Sequence, residues 1–191
     1  MAAGNIETEI KLAVKDAESA STLLSARGFE IRKPRVFESN IVFDTPEKTL
    51  RAAGCLLRIR TVDSQCILTF KGPGTPGRHK TREEIEVQVS DAAGLSKILQ
   101  RLGYQPTFRY EKYRTEFALV SDRGVVTVDE TPFGVFLELE GPPDWIDKTA
   151  RDLGFEERQY ITASYGELYR RYCHSMGETP SNMVFRPTKS D

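Results

Sequence analysis

Polar and apolar residues alternate with a period of two in eight segments of the chain. This period is typical of β-strands that present one polar and one apolar face. In the first segment, Glu7, Glu9 and Lys11 share one face, while Ile10 and Leu12 take the other. The predicted strands are residues 6–12, 35–43, 55–62, 65–71, 81–89, 108–119, 125–131 and 135–141.

Five other segments are predicted as helices from the spacing of their apolar residues and from the residues at their ends. Asp16 and Asp91 are predicted N-caps, because a short acceptor side chain can bond the free backbone N–H groups of a first turn. Gly28 and Gly103 are predicted to end the same two helices. The predicted helices are residues 16–27, 47–53, 91–102, 143–153 and 161–176.

Two segments have no periodic pattern. Residues 72–77 read Gly-Pro-Gly-Thr-Pro-Gly, which predicts an exposed and mobile loop. Residues 177–191 are largely polar, contain two prolines and predict a disordered C-terminal tail. Residues 1–176 are sufficient for one domain with its own core, and nothing in them requires a second domain.

The number of strands predicts how the sheet closes. Eight strands with few helices between them would leave exposed edges in an open sheet, and closure into a barrel removes those edges. We therefore predict an α+β protein built on a closed, eight-stranded antiparallel β-barrel with peripheral helices.

Charged side chains recur on the polar face of strand after strand. A solvent-facing sheet surface explains each strand taken alone, but helices must cover one side of a closed sheet. Short pairs such as Arg58-x-Arg60 and Glu138-x-Glu140 therefore suit the interior of a barrel better. The basic residues of this pattern are Lys11, Arg58, Arg60, Lys71, Arg82, Lys112 and Arg114, and the acidic ones are Glu7, Glu9, Glu84, Glu86, Asp129, Glu138 and Glu140.

A lumen with so many charges is costly to desolvate unless it holds water, a metal ion or a charged ligand. Carboxylate oxygens suit Mg²⁺ or Mn²⁺, which bridge a few carboxylates to substrate phosphates; the predicted ligands are Glu7, Glu9, Glu138 and Glu140. Arginine and lysine side chains bind phosphate oxygens. The expected substrate is therefore a small molecule with a polyphosphate group, and the expected cofactor is Mg²⁺ or Mn²⁺.

Composition excludes several other classes of function. The 27 basic and 28 acidic residues give a net charge of −1, so no general attraction to nucleic acid or an anionic membrane is expected. No apolar run approaches the roughly 20 residues of a membrane span, and the N-terminus lacks a signal-peptide pattern, so a cytoplasmic protein is expected. The three cysteines and two histidines form no metal or nucleophile motif, and no Gly-rich phosphate loop is present. No pattern indicates an oligomeric state.

Over residues 5–170 the chain resembles the CYTH proteins, or triphosphate tunnel metalloenzymes, which include class IV adenylate cyclases, thiamine triphosphatases and inorganic triphosphatases. The signature Glu-x-Glu-x-Lys is present as Glu7-Thr8-Glu9-Ile10-Lys11. The blocks that follow it in the family's order are Phe43-Asp44-Thr45-Pro46, Leu56-Leu57-Arg58-Ile59-Arg60, Leu68-Thr69-Phe70-Lys71-Gly72, Arg82-Glu83-Glu84-Ile85-Glu86, Lys112-Tyr113-Arg114, Asp129 with Gly134, Phe136, Glu138 and Glu140, and Ser164-Tyr165-Gly166-Glu167-Leu168.

The resemblance implies an eight-stranded tunnel in which the basic residues bind a triphosphate, and it adds Arg82 to these residues. It also implies that the acidic residues bind metal, and it adds Asp129 to the predicted ligands. Glu9, Lys11 and Glu140 are the expected catalytic residues, and Glu84 and Glu86 are further tunnel acids. The expected reaction is metal-dependent hydrolysis of inorganic tripolyphosphate or of a nucleoside or organic triphosphate.

Two alternatives stay open. One is cyclisation of ATP to cyclic AMP and pyrophosphate. Class IV cyclases often carry a His-Phe pair shortly before Glu-x-Glu-x-Lys, where this chain has Met1-Ala2, and this departure favours hydrolysis. The other is a module that binds polyphosphate without turning it over.

Overall fold

A computed structural model describes residues 5–120 and 123–186 of the chain. Eight strands form a closed antiparallel barrel, as the alternation predicts. They are β1 (Asn5–Val14), β2 (Glu30–Asp44), β3 (Leu56–Val62), β4 (Gln65–Lys71), β5 (Lys80–Val89), β6 (Gln105–Ala118), β7 (Val125–Thr131) and β8 (Gly134–Glu140).

The order of the strands around the barrel is β1-β5-β4-β3-β2-β6-β7-β8. Pairing of β8 with β1 closes the barrel and sets Glu9 opposite Glu140 and Lys11 opposite Glu138. Because neighbours are antiparallel, β1, β2, β4 and β7 all end at the same end of the barrel, which we call the mouth end.

Five α-helices surround the barrel: α1 (Ala17–Ala26), α2 (Thr49–Ala52), α3 (Ala92–Arg101), α4 (Pro143–Asp152) and α5 (Tyr165–Ser175). The predicted caps of α1 and α3 are confirmed, since Asp16 accepts from the Ser19 N–H at 2.8 Å and Asp91 from the Gly94 N–H at 2.9 Å. Gly28 and Gly103 follow these helices at φ values of 83° and 93°, which glycine adopts without steric cost. No helix in the described parts of the chain has the length and hydropathy needed to cross a membrane.

The main apolar core lies outside the barrel wall. Helices α1 and α4 pack against β1, β6, β7 and β8 around residues such as Ile10, Leu137 and Ile146, each 0% exposed. A second cluster under α3 includes Phe43 and Leu99. The apolar residues of these two clusters therefore face outward to the helices, and the charged residues named above on β1 and β8 face inward.

The starts of two elements differ most from the prediction. Strand β2 begins at Glu30 rather than residue 35, because register shifts on both sides of Lys33 accommodate Pro34, which has no N–H to donate. Helix α5 begins at Tyr165 rather than residue 161. Ile161 instead exchanges backbone hydrogen bonds of 2.9 and 2.8 Å with Lys11, extending the sheet beside β1.

The prediction of a disordered tail is wrong for residues 177–186, while residues 187–191 lie outside the described part of the chain. Met183 is 0% exposed and forms a parallel bridge with Tyr110 of β6. Strand β7 pairs with β6 only from Tyr113 onward, so the earlier part of β6 has a free edge. The tail covers that edge. The loop at 72–77 is exposed from residue 73, as predicted.

Candidate functional site

The inward faces of the strands line a cavity of about 850 Å³ that extends to the mouth end. Helices α2 and α5 and the tail contribute residues there, including Arg51, Arg170 and Asn182. Of the fourteen candidate residues from the sequence, the cavity is lined by thirteen: Glu7, Glu9, Lys11, Arg58, Arg60, Lys71, Arg82, Glu84, Glu86, Lys112, Arg114, Glu138 and Glu140. Asp129 lies behind this lining.

Glu7 accepts hydrogen bonds from basic side chains on two neighbouring strands, β4 and β5. Its carboxylate accepts from Lys71 Nζ at 2.6 and 2.7 Å and from Arg82 Nε at 3.1 Å. Burial by itself raises the pKa of Glu7, but the charges of Lys71 and Arg82 bring this pKa below its ordinary value. Lys71 also contacts Glu84 at 2.9 Å. Burial raises the pKa of Glu84, and the charge of Glu7 adds to the rise against the opposing effect of Lys71.

Lys11 lies between two carboxylates, with Nζ 3.0 Å from Glu9 and 3.3 Å from Glu138. Burial by itself would lower the pKa of Lys11, yet the charges of Glu138 and Glu9 raise it above the usual range. Glu9 is also 3.3 Å from Lys80. The lysine of the Glu-x-Glu-x-Lys motif is therefore held in its charged form inside the lumen.

Asp129 is 0% exposed and binds three donors. It accepts from Lys112 at 2.8 Å, from Arg114 through both oxygens at 2.7 and 2.6 Å, and from the Tyr165 hydroxyl at 2.7 Å. Burial raises the pKa of Asp129, but Arg114 and Lys112 outweigh it and hold this pKa below its ordinary value. This geometry suits a residue that positions two cations. Both oxygens are occupied by cationic donors, as are those of Glu7, and the metal-ligand role of Asp129 stays a prediction.

Several further residues face the lumen and were not predicted as site residues, although they continue the alternation of β2, β5 and β6. Arg58 donates to the Tyr110 hydroxyl at 2.9 Å, and Arg60 donates to Asn40 at 3.3 Å. Burial raises the pKa of Tyr110, but the charges of Arg58, Arg60 and Lys112 lower it overall. The residues that the alternation could have identified are Glu38, Asn40, Lys80 and Tyr110.

Glu140 is the exception among the lumen acids, because no ion pair or hydrogen bond of its carboxylate is found within the described residues. Burial, followed by the charges of Glu7 and Glu138, raises the pKa of Glu140 to about 7. Glu140 as a whole residue is nevertheless exposed to water, so its crowded surroundings are those of a wet cavity and not of a dry core. Near neutral pH, Glu140 can therefore take up or release a proton.

The raised pKa of Glu140 predicts how stability depends on pH in the ligand-free protein. The ordinary pKa is 4.5 and the folded value about 7, so the contribution to stability is fully present below pH 4.5 and lost as the pH rises through 7. The wild type should lose stability relative to Glu140→Gln between pH 5 and pH 8. Thermal unfolding of both proteins in the presence of a chelator measures this difference, and parallel curves would contradict it.

A divalent cation would find oxygen donors in the lumen, but they are not arranged around a single point. Within residues 5–120 and 123–186, no group of three or more His, Cys, Asp or Glu side chains could hold a metal ion as placed. Several acids are instead paired with lysine or arginine. The chemistry of the donors nevertheless fits Mg²⁺ or Mn²⁺, because Glu7, Glu84 and Glu140 repel one another and a cation between them would relieve that repulsion.

The chain is similar to known proteins over most of its length. The family model of the CYTH domain matches residues 5–165. The adenylate cyclase CyaB of Aeromonas hydrophila is 32% identical over 176 residues, covering 86% of this chain and 89% of the relative. A protein of Methanocaldococcus jannaschii, provisionally named an adenylate cyclase, is 34% identical over 135 residues, covering 71% of this chain and 76% of the relative.

Solved structures share the fold. A protein of Pyrococcus horikoshii aligns with a TM-score of 0.73 and 27% identity over 87% of this chain and 99% of its own. HpAC1 from Hippeastrum, provisionally named an adenylyl cyclase and described as having a dominant triphosphatase activity, aligns with a TM-score of 0.63 and 18% identity. This alignment covers 91% of this chain and 97% of the plant protein.

Proposed function

The chain belongs to the CYTH family, and from this premise we propose that it is a divalent-metal-dependent enzyme that hydrolyses a triphosphate bound in the lumen of its barrel. The proposal covers inorganic tripolyphosphate and organic triphosphates.

The proposal rests on one observation: eight basic side chains of the strands line a single cavity and are neutralised there by acidic side chains of the same lumen. The eight are Lys11, Arg58, Arg60, Lys71, Lys80, Arg82, Lys112 and Arg114. A triphosphate offers many oxygens to such a set, and arginine binds them as a planar fork. Phosphate oxygens could replace the carboxylates as partners of these cations, and the released carboxylates would then be free to bind metal.

The residues proposed to hold metal are Glu7, Glu9, Glu138 and Glu140. A bound divalent cation would neutralise charge on the phosphate chain and lower the pKa of a bound water. We propose Asp129 instead as a positioning residue for Lys112 and Arg114.

The residues proposed to act on the reacting groups are Glu9, Lys11 and Glu140. Lys11, held charged by two carboxylates, would bind a phosphate oxygen on which negative charge develops. Glu140 is suited to orient the attacking water and accept its proton, because no ion pair holds its carboxylate within the described residues. The water oxygen bonds to the terminal phosphorus while Glu140 takes the water proton, and the bond from that phosphorus to its bridging oxygen breaks. The bridging oxygen leaves with the remaining diphosphate, and the attacked phosphorus becomes inorganic phosphate.

A second candidate function is cyclisation of ATP. It is favoured by the names of the two relatives above 30% identity, one an adenylate cyclase and the other provisionally so named. The same lumen would serve both reactions, since cyclisation differs in its nucleophile, the ribose 3′-hydroxyl. The plant protein of the same fold is described as having a dominant triphosphatase activity, so a cyclase name is compatible with hydrolysis.

Product analysis tests the proposal. The purified protein is incubated with tripolyphosphate, ATP or thiamine triphosphate, each with Mg²⁺ or with Mn²⁺, and the products are separated. Metal-dependent release of phosphate from at least one substrate is expected. Cyclic AMP as the main product from ATP would favour the second candidate. Tight binding of all three substrates without any product would favour a binding module.

Arg58→Ala and Lys112→Ala should weaken binding of tripolyphosphate about tenfold each, because each removes a cation from the phosphate-binding wall. Ligand at about 100 times its dissociation constant should stabilise the wild type by roughly 2.7 kcal/mol. Thermal unfolding with and without tripolyphosphate measures this, and the ligand-induced shift should shrink in both variants. Lys15→Ala, at an exposed lysine, is the matched control. Equal shifts in all four proteins would contradict the assignment.

A further inference from the structure

The C-terminal segment forms one wall of the cavity at the mouth end. We call residues 180–182 the tail wall, since Pro180, Ser181 and Asn182 all line the cavity. It lies in a region for which the sequence predicts disorder and beyond residue 165, where the family match ends.

Several contacts hold the tail wall in place. Met183 donates its N–H to the Arg109 carbonyl at 3.0 Å and accepts from the Glu111 N–H at 2.8 Å. Its side chain is fully buried in the apolar cluster that includes Tyr110 and Tyr165. Farther along, the Phe185 N–H donates to Glu111 at 3.1 Å. The segment is thus anchored on both its backbone and its side chains.

Asn182 has an orientation fixed by its neighbours. Its Oδ1 accepts from the Arg109 N–H at 2.9 Å, and its carbonyl accepts from the Tyr169 hydroxyl at 3.3 Å. Asn182 is exposed, and no hydrogen bond of its Nδ2 group is found within the described residues. A hydrogen-bond donor of known direction is therefore available at the mouth.

The inward face of β6 changes from basic to aromatic residues along the strand. Arg114 and Lys112 are followed, two residues apart, by Tyr110 and Phe108 towards the mouth end, and all four line the cavity. The Phe108 and Tyr110 rings stack at 5.9 Å between centroids and 24° between planes. Gly166 of α5 lies against Phe108, where a Cβ atom would come within 3.2 Å of the ring. The strand leads from a phosphate-binding surface to an aromatic one.

We propose that the tail wall and Phe108 form a specificity site for the organic group of the substrate, and that this group is a flat ring with hydrogen-bonding atoms. The inference rests on the proposed function. A triphosphate held by the cations of the lumen would present its attached group towards Phe108 and Asn182. The ring stacks on Phe108 and accepts a hydrogen bond from Asn182 Nδ2. Inorganic tripolyphosphate has no such group and uses only the deeper cations.

The test compares ATP with tripolyphosphate in Phe108→Leu and Asn182→Ala, each at its preferred metal. Both variants should lower kcat/KM for ATP about tenfold, mainly through a higher KM, since Phe108→Leu loses a stacking contact and Asn182→Ala loses a hydrogen bond. Tripolyphosphate kinetics should change less than twofold. Thr179→Ala, an exposed position in the same segment that does not line the cavity, is the control and should leave both substrates unchanged.

The outcomes separate the specificity site from the proposed function. Equal losses for the two substrates, or no loss for either, would overturn the specificity site even when the protein is an active hydrolase. If the wild type turns over neither substrate, the proposed function fails. In that case, calorimetry of the same variants tests the specificity site through the ratio of the Kd for ATP to the Kd for tripolyphosphate. Thermal unfolding of each variant verifies that it is folded, and Phe108→Tyr, which keeps the stacking ring, should retain ATP binding.

Discussion

Asp129→Asn is expected to lower the free energy of unfolding by about 3–5 kcal/mol, the usual cost of breaking a buried ion pair from one side. Asp129 is fully buried and neutralises Lys112 and Arg114, which are themselves largely buried. Asparagine has nearly the same volume but no charge, so two buried cations would lose their main partner. Tyr165 would also lose the strong acceptor for its hydroxyl.

Urea unfolding of the ligand-free protein measures this loss. The control is Asp152→Asn, because Asp152 pairs with Lys148 on the surface of α4 at 2.7 Å and an exposed pair of this kind contributes less than about 1 kcal/mol. A loss below 1 kcal/mol in Asp129→Asn would show that the buried network does not depend on this carboxylate. Tripolyphosphate should stabilise the variant more than the wild type, since phosphate oxygens can replace the missing charge.

Glu140→Gln is expected to reduce kcat about 10²–10³-fold with the fold retained, a magnitude typical of removing one group that acts in the transition state. The amide can neither accept a proton from water nor supply charge to a metal ion. Glu9→Gln should show a similar loss, because Glu9 lies beside Lys11 and is a proposed metal ligand.

Steady-state rates at saturating Mg²⁺ or Mn²⁺ test both variants. The control is Glu18→Gln on the exposed side of α1, which should retain wild-type rates. Near-wild-type rates in both lumen variants would remove the catalytic and metal roles assigned to these glutamates.

Local alternation predicts the barrel well because it depends on each strand's own residues. Glu7, Glu9 and Lys11 face the lumen, while Ile10 and Leu12 are buried outside the barrel. The alternation that places Lys112 and Arg114 inside also reaches Tyr110 on the same strand. Tyr110 was not predicted, because the site residues were identified by their charge and tyrosine is uncharged.

Features that depend on distant parts of the chain could not be predicted in this way. Met183 is buried because β6 has a free edge, and that edge is known only once β7 is seen to pair with part of β6. Likewise, nothing in the residues around Asp129 indicates that Lys112, Arg114 and Tyr165 converge on it. Its proposed role in positioning cations emerges from three-dimensional contacts, whereas the family resemblance implied a metal ligand.

Turnover in ¹⁸O-labelled water shows whether the lumen directs water to a bound triphosphate. The protein is incubated with ATP, and separately with tripolyphosphate, at its preferred metal, and the products are analysed by mass spectrometry. Water attack places one ¹⁸O atom in a phosphate product, with little cyclic AMP formed from ATP. Abundant cyclic AMP together with unlabelled pyrophosphate would contradict hydrolysis, because cyclisation incorporates no oxygen from water.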